Sequence, residues 1–287
     1  MSGSDEETII AQQRASWNGA AWAWEKWDAW LEQNMGVMNE RLLAAAGVAE
    51  GHQALDLGSG TGQPALAAAR RVGPSGGVTG VDVAGEMLEV ARKKARALGY
   101  GNVTFHVCDA CSLPFEEGLF DAAVSRFCLM FTPDPRKAAR EVFRLLRPKA
   151  AFAAAVWADS ARNPTFSLAQ RVLSRYATVP ALSPDAPGVF RMATPGTISG
   201  ILRDAGFEDV TEEEAPLRYT YASGEMYFEN FMDMAAPLRP IYLGLSPSQQ
   251  QEAKREMIGE IERYRQGDAV AVPGVAIVAR GVKPGRA

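Results

Sequence analysis

The sequence contains little of what disulfide-rich, metal-binding, secreted or membrane proteins need. Three cysteines and two histidines occur in 287 residues, too few for a disulfide framework, and this fits a reducing compartment. The longest uninterrupted apolar run extends from Ala150 to Ala158, well short of the ~18 residues that cross a bilayer. The amino terminus opens on acidic residues instead of a basic segment followed by an apolar one, so no secretory signal is predicted. We therefore expect a cytoplasmic protein without membrane insertion.

A large excess of charge is also missing. The formal net charge is −4, and mixed surface charge of this kind has no electrostatic footprint for nucleic acid or an anionic membrane. A hydrophobic content of 47% excludes a disordered chain. The length allows one or two domains with a substantial core. Neither nucleic acid nor a membrane surface is therefore an expected partner, and the oligomeric state stays open.

Short apolar runs alternate with amphipathic helical stretches between residues 40 and 157. This alternation predicts right-handed crossovers and a mostly parallel sheet. Strand character returns in 208–221 and 269–282, so the expected fold class is α/β, with a doubly wound, mostly parallel seven-stranded sheet. The five strands predicted in the core cover 53–57, 78–83, 103–107, 120–125 and 151–157. The helices between them are predicted to end near Val72, to cover 84–98, and to run from Asp134-Pro135 to Arg147.

A glycine-rich turn follows the first predicted strand and opens the next helix. Gly58, Gly60 and Gly62 let the backbone pass close to a ligand, and the free N–H groups of a helix start favour electron-rich atoms. The dinucleotide fingerprint would need a third glycine where Gln63 stands. Asp56, just before the turn, would repel a pyrophosphate in a partly dry site and instead suits a cationic ligand.

Two further carboxylates fall at the ends of neighbouring predicted strands. Asp82 ends the second strand, ~20 residues beyond the glycines, where a carboxylate can accept hydrogen bonds from both hydroxyls of a ribose. Asp109 follows the third strand and could accept a hydrogen bond from the exocyclic amine of adenine. The carboxyl ends of the strands line the ligand crevice of a doubly wound sheet. With the glycine turn, these residues predict one binding crevice.

In this order and spacing, the motifs resemble those of class I S-adenosylmethionine-dependent methyltransferases, closest to the ubiquinone/menaquinone-biosynthesis-like small-molecule branch. The resemblance covers residues 50–157 and rests on 55–63, Val81-Asp82-Val83, Cys108-Asp109-Ala110 and 120–127. It implies a Rossmann-like methyltransferase fold with S-adenosylmethionine as cofactor. By this resemblance the cofactor-binding residues are Asp56, Gly58, Gly60 and Gly62 at the methionine end, Asp82 at the ribose, Val83 and Met87 flanking the adenine, Asp109 and Ala110 at the adenine edge, and Ser125 with Arg126 beside the methionine moiety.

One turn departs from this branch. Pro-Gly-Gly usually precedes the fifth strand, where this chain has Pro148-Lys149-Ala150. Residues with a Cβ resist positive φ, so this turn is expected to differ or to carry strain.

With this resemblance, four segments are expected along the chain. Residues 46–158 form the cofactor-binding core, and 246–287 complete it with a helix and a strand. Residues 1–45 are predicted as an N-terminal helical lid or cap, and 159–245 as a cap insertion and substrate-side segment.

Aromatic residues outside the motifs are the candidates for the acceptor side. On one helix, Trp17, Trp24 and Trp27 would share a face, which favours core packing, but five tryptophans in 17–30 exceed what one packing face needs. A substrate lid is therefore the alternative. Tyr221 belongs to a second candidate wall that could equally be core. Arg126 could bind a carboxylate or enolate of the acceptor, or form an ordinary ion pair. No catalytic residue is assigned.

The cysteines suggest a metal site, but their spacing does not complete a zinc-binding pattern. A structural zinc needs four ligands, usually in two pairs, and only Cys108 and Cys111 are paired in the sequence. We therefore expect no metal and interpret the cysteines as small buried residues.

The expected activity is methyl transfer to carbon or oxygen of a small acceptor, aromatic, quinol-like or polyketide. Neither histidine lies in a predicted substrate loop, so a carboxylate or tyrosine acts as base, or the acceptor ionises unaided. Two hypotheses of other classes remain. One is a nicotinamide-dependent oxidoreductase, disfavoured by Gln63 and Asp109, and the other is a non-catalytic S-adenosylmethionine-binding module.

Overall fold

One sheet forms the centre of the computed structural model, which describes residues 3–180, 185–235 and 237–285. Its strands are β1 (Gln53–Leu57), β2 (Gly77–Asp82), β3 (Val103–Val107), β4 (Phe120–Arg126), β5 (Leu146–Trp157), β6 (Glu208–Tyr221), β7 (Arg265–Gln266) and β8 (Ala269–Val282). The order is β3-β2-β1-β4-β5-β8-β6, and the two-residue β7 pairs with β8. β1 to β5 pair in parallel, and β8 is antiparallel to both of its long neighbours. The predicted mostly parallel sheet is confirmed, and the two-residue β7 adds an eighth strand to the seven that were expected.

Helices cover both faces of this sheet. They are α1 (Gly3–Lys26), α2 (Asp28–Ala45), α3 (Ala65–Val72), α4 (Gly85–Ala97), α5 (Pro135–Leu145), α6 (Pro164–Leu173), α7 (Thr197–Asp204), α8 (Gly224–Met234), α9 (Arg239–Leu243) and α10 (Pro247–Glu262). Short 3₁₀ turns occupy Leu129–Phe131 and Ser160–Arg162. Over the described ranges, no helix has the length and apolarity to span a membrane.

The helix between β4 and β5, α5, begins as predicted and ends earlier. The Asp134 carboxylate accepts hydrogen bonds from the next helical N–H groups, and Pro135 occupies the first turn. The predicted end at Arg147 is wrong, because α5 stops at Leu145 and Arg147 already belongs to β5, where it pairs with Asp121. Lys149 then takes a φ of 70°, so the strain expected at this turn falls on that residue.

The amino-terminal segment is a pair of helices, so the prediction that the tryptophans share a single helix is wrong. The break falls at Trp27, between α1 and α2. Trp17 and Trp24 therefore lie on α1, which packs against α4 and α8, while α2 packs over β4, β5 and β6.

The core lies between the central strands and the helices packed on them, α2 among these. Within it, β5 is buried from Ala150 onwards. Residues 159–245 contribute to it as well, since β6 is the edge strand of the sheet and pairs with β8 over nearly its whole length. Residues 181–184 and 236 of this segment lie outside the described residues.

Candidate functional site

The parallel strands β1 to β4 end at one edge of the sheet and bring the predicted acidic residues there together. The loop after β1 is joined to the end of β2, because Gly58 and Ser59 donate their N–H groups to the Val81 carbonyl at 2.8 and 2.9 Å. Cys128, just after β4, lies near all three carboxylates. Burial first, and then the charges of Asp82, Asp56 and Asp109, raise the pKa of its thiol well above the usual value. The three predicted carboxylates therefore lie near one another at this edge of the sheet.

Asp56 is the most unusual of these carboxylates, because it is fully buried with one oxygen unused. Its Oδ2 accepts a hydrogen bond from the N–H of Ala65 at 3.0 Å. Its Oδ1 is buried with no hydrogen-bond partner among the described residues. Burial raises the pKa of Asp56 to about 7, against the lowering influence of Ser59 and Arg126. A buried acceptor of this kind is costly unless a donor or a cation completes it.

The glycine loop is tightly packed at one of its glycines and open at another. Gly58, Gly60 and Gly62 all have positive φ, at 81°, 50° and 109°. A Cβ on Gly58 would lie 2.3 Å from the Cβ of Cys128, whereas a Cβ on Gly60 would meet no described heavy atom within 4 Å. The loop therefore packs tightly beneath Gly58 and is open beside Gly60.

Asp82 fastens this loop and keeps the capacity to bind a ligand. Its Oδ2 accepts from the N–H of Gly60 and its Oδ1 from the N–H of Ala84, both at 2.9 Å. Burial raises the pKa of Asp82, and these N–H groups oppose the shift. Because two carboxylate oxygens offer about four acceptor positions, acceptor capacity remains for a hydroxyl donor.

Arg126, at the end of β4, adds a positive charge to the same crevice. Its Nη1 donates to the Oδ1 of Asn39 on α2 at 2.8 Å. Burial lowers the pKa of Arg126, and the charges of Asp56 and Glu32 oppose that shift. The same guanidinium acts on the Tyr219 hydroxyl. Arg126 therefore lies between the buried carboxylate and the aromatic side of the crevice.

The residues expected at the adenine lie beneath α1. Met87 is buried in a small cluster with Ala20 and Ala21, against which Trp17 and Trp24 pack. The α1 helix is also joined to this region through polar groups. These are the Arg14 Nε, which donates to the Val83 carbonyl at 3.3 Å, and the Asn18 Oδ1, which accepts from the N–H of Glu86 at 3.0 Å.

The next strand end completes this side of the crevice. Asp109 and Ala110 are half-buried in the turn after β3, where the Asp109 Oδ1 accepts from the N–H of Cys111 at 3.0 Å. Trp17 meets the ring of Phe131 edge to face at 5.1 Å, so α1 reaches across to the turn after β4.

Three predicted residues have structural partners that account for their positions. The hydroxyl of Ser125 is buried and donates to the Leu57 carbonyl at 2.9 Å, which ties β4 to β1. The Trp27 Nε1 donates to Asp233 of α8 at 2.9 Å. Tyr221 is fully buried beside Trp30, with ring centroids 4.9 Å apart.

An aromatic wall lies at the ends of β4, β5 and β6, and sequence reasoning missed Phe127 and Trp157 as parts of it. Phe127 stacks on Trp157 with centroids 3.7 Å apart and an interplanar angle of 8°. Trp30 stacks on Tyr219 at 5.8 Å. Positions at the carboxyl ends of strands were the available signal for Trp157 and Phe127, because those ends line the crevice.

The cysteines do not form a metal site in the part of the chain that the structure describes. No group of three or more histidine, cysteine or acidic side chains there could hold an ion. Cys111 is buried with its Sγ directed at the Asp134 carbonyl at 3.3 Å, and Cys128 packs on Gly58.

Comparison with known proteins identifies the class of this central unit. Residues 54–149 match the family model described as a methyltransferase domain. Over 104 residues the chain is 43% identical to the ubiquinone/menaquinone biosynthesis C-methyltransferase UbiE of Pasteurella multocida, covering 36% of this chain and 39% of that protein. It is 40% identical over 113 residues to the arsenite methyltransferase of Aquipseudomonas alcaligenes, covering 37% and 33%. The chain therefore spans only about a third to two fifths of these relatives' length.

Solved structures extend the likeness of the fold to most of the chain. The [4+2]-cyclase SpnF aligns with a TM-score of 0.55 and 25% identity, covering 87% of this chain and 80% of that one. The YcgJ protein of Bacillus subtilis aligns with a TM-score of 0.55 and 21% identity, covering 88% and 98%. One of these proteins is named a cyclase, so the fold alone does not assign the reaction.

Residues 54–149 are therefore a methyltransferase domain, and over this part of the chain the resemblance to class I S-adenosylmethionine-dependent methyltransferases of the UbiE-like type, stated from the sequence motifs, is confirmed. The cofactor of this class is S-adenosylmethionine, and the residues present fit it. Asp56 offers a buried acceptor without a partner for a cationic group, the backbone beside Gly60 is open, and Asp82 retains acceptor positions.

Proposed function

We propose that this chain transfers the methyl group of S-adenosylmethionine to carbon or oxygen of a small acidic acceptor of the phenol, quinol or polyketide type. The observation that carries the proposal is the unused Asp56 oxygen beside the open glycine loop, because this pair suits a cationic amino-acid end better than a phosphate. S-adenosylmethionine supplies an electrophilic methyl group on a sulfonium. What the protein must add is binding, alignment and exclusion of water, which can lower the barrier by roughly 7–11 kcal/mol at best.

The site residues divide this work along the sheet edge. Asp56 and the glycine loop bind the methionine end, and Asp82 binds the ribose hydroxyls. In this proposal Asp109 and Ala110 bind the adenine edge, and Met87 and Val83 flank the ring under α1. In this proposal residues 1–45 act as the lid, since α1 contacts the β2–α4 junction and the turn after β4.

Arg126 is the group proposed to hold the acceptor. The guanidinium lies in the field of Asp56 on one side and of Tyr219 on the other. A positive charge at this point stabilises an anionic oxygen of a phenolate or enolate, and the aromatic wall of Phe127 and Trp157 offers a flat apolar surface for a ring.

The nearby tyrosines argue for an acceptor that ionises readily. Burial raises the pKa of Tyr219 and of Tyr221 well above the usual value. A tyrosine must lose its proton before it can act as a base, so neither serves that role near neutral pH. An acceptor whose anion is stabilised by Arg126 needs no strong base.

A transfer assay with methyl-labelled S-adenosylmethionine tests the proposal. The panel contains phenols, hydroquinols, β-dicarbonyl compounds, amines and arsenite. We expect label in one of the first three groups and its loss in Asp82→Ala. We expect its retention in Glu40→Gln, a surface variant whose side chain bonds only to Arg70 and Arg71 among the described contacts. Transfer to amines or arsenite alone, or no transfer at all, contradicts it.

A further inference from the structure

Asn39 on α2 contacts two separate parts of the site. Its side chain is 1% exposed, and both ends of its amide are used. The Oδ1 accepts from the Nη1 of Arg126 at 2.8 Å, and the Nδ2 donates to the Oε1 of Gln63 at 3.1 Å. Gln63 directly follows the last glycine of the cofactor loop. One buried side chain of the N-terminal helix pair therefore bridges the proposed cofactor loop and the proposed acceptor arginine.

The attachment of α2 to the sheet does not depend on this bridge. Asn34, one turn earlier, holds the helix independently, because its Oδ1 accepts from the N–H of Thr220 in β6 at 2.6 Å. Met35, Met38 and Leu42 bury the same helix in the core. A second polar residue in this interface costs desolvation that an apolar side chain would avoid, so its position calls for a role beyond packing.

Arg126 needs a partner that sets its direction. A guanidinium has five N–H donors, and within the described residues the structure gives it one hydrogen bond, to Asn39. Its remaining N–H groups are free to meet an anionic ligand, in a direction that Asn39 determines. Asn39 is in turn held by Gln63, so the position of the cofactor loop reaches Arg126 through two hydrogen bonds.

We propose that Asn39 is a positioning residue that couples the cofactor loop to the N-terminal helix pair and to Arg126. This rests on the function proposed above. Binding at the loop fixes Gln63, Gln63 fixes Asn39, and Asn39 holds both α2 and the acceptor arginine in place. Cofactor binding therefore prepares the acceptor site and closes the helix pair over it.

Amide hydrogen exchange on the full chain, with and without S-adenosylmethionine, tests this coupling without any acceptor. In the unaltered protein, the cofactor slows exchange in the glycine loop and in α2. In Asn39→Leu and Gln63→Met the loop is still protected, while the protection of α2 falls at least about fivefold. Gln63→Glu keeps an acceptor oxygen for the Asn39 amide and restores α2 protection. Glu40→Gln, at the neighbouring position of α2, behaves like the unaltered protein.

The outcomes separate this inference from the proposed function. Full α2 protection in both Asn39→Leu and Gln63→Met overturns the coupling while leaving cofactor binding intact. Failure of Gln63→Glu to restore protection also overturns it, since steric change at that position would then explain the loss. Absence of protection anywhere in the unaltered protein contradicts cofactor binding itself. If Asn39→Leu does not fold, the comparison of Gln63→Met with Gln63→Glu tests the coupling by itself.

Discussion

The raised pKa of Asp56 predicts that cofactor affinity depends steeply on pH. Burial places this pKa at about 7, so at pH 7 about half of the free protein carries the charged carboxylate and at pH 5 about one hundredth does. Only the charged form offers an anion to the cationic cofactor, so affinity falls as the pH falls. The apparent dissociation constant should therefore rise about fiftyfold between pH 7 and pH 5. The carboxyl and amino groups of the cofactor change little in this window.

The substitution Asp56→Asn isolates this effect. The asparagine carbonyl still accepts the hydrogen bond that the Ala65 N–H gives to Asp56, so the helix start is preserved. The variant should bind S-adenosylmethionine more weakly at pH 7 and lose most of the pH dependence. A residual slope in the same direction comes from Asp82, whose pKa is also raised by burial.

Isothermal titration calorimetry at several pH values and constant ionic strength measures this directly, with Glu40→Gln as the control. A flat affinity in the unaltered protein between pH 7 and pH 5 would refute the reasoning. So would an equally steep dependence in Asp56→Asn.

Three further predictions concern stability. First, the pKa of Asp56 lies above its unfolded value of 3.8, so between pH 4 and 7 the folded state binds a proton that the unfolded state does not. The free energy of unfolding therefore falls as the pH rises through that window. The urea midpoint should drop less over this pH range in Asp56→Asn than in the unaltered protein. Gly58→Ala should cost roughly 2–4 kcal/mol and abolish cofactor binding, because its Cβ would lie 2.3 Å from Cys128, whereas Gly60→Ala costs only about 1 kcal/mol by urea unfolding. Lys149→Gly should stabilise the chain by about 0.5–1 kcal/mol in thermal unfolding, because φ is 70° there; a lower melting temperature would contradict this.

The parts of the fold that sequence reasoning predicted are those that depend on local pattern. Apolar periodicity located the strands to within one or two residues except at β5 and at the two-residue β7, which was not predicted. Asp56 and Asp82 lie at the expected edge of the sheet, because the ends of β1 and β2 are neighbours. The end of α5 was missed because Leu146 pairs with Phe120 of β4 and the Lys149 N–H donates to the Lys283 carbonyl. These tertiary contacts override a helical pattern.

The parts that escaped prediction depend on contacts between distant segments. Asn39 and Gln63 are 24 positions apart, and neither residue type predicts a contact with the other. Trp27 meets Asp233 across 206 positions, and this anchor lies at the break between α1 and α2. Such partners follow from how helices pack on the sheet, which periodicity along the chain does not encode.

The central claim is that the glycine loop and its carboxylates bind a cationic sulfonium nucleoside. Calorimetric titration of the full chain at pH 7 with S-adenosylmethionine, and separately with NAD, tests it most directly. The account predicts one binding site for S-adenosylmethionine, lost in Asp82→Ala, and no heat of binding for NAD. Binding of NAD in place of S-adenosylmethionine, or binding of neither, would contradict it.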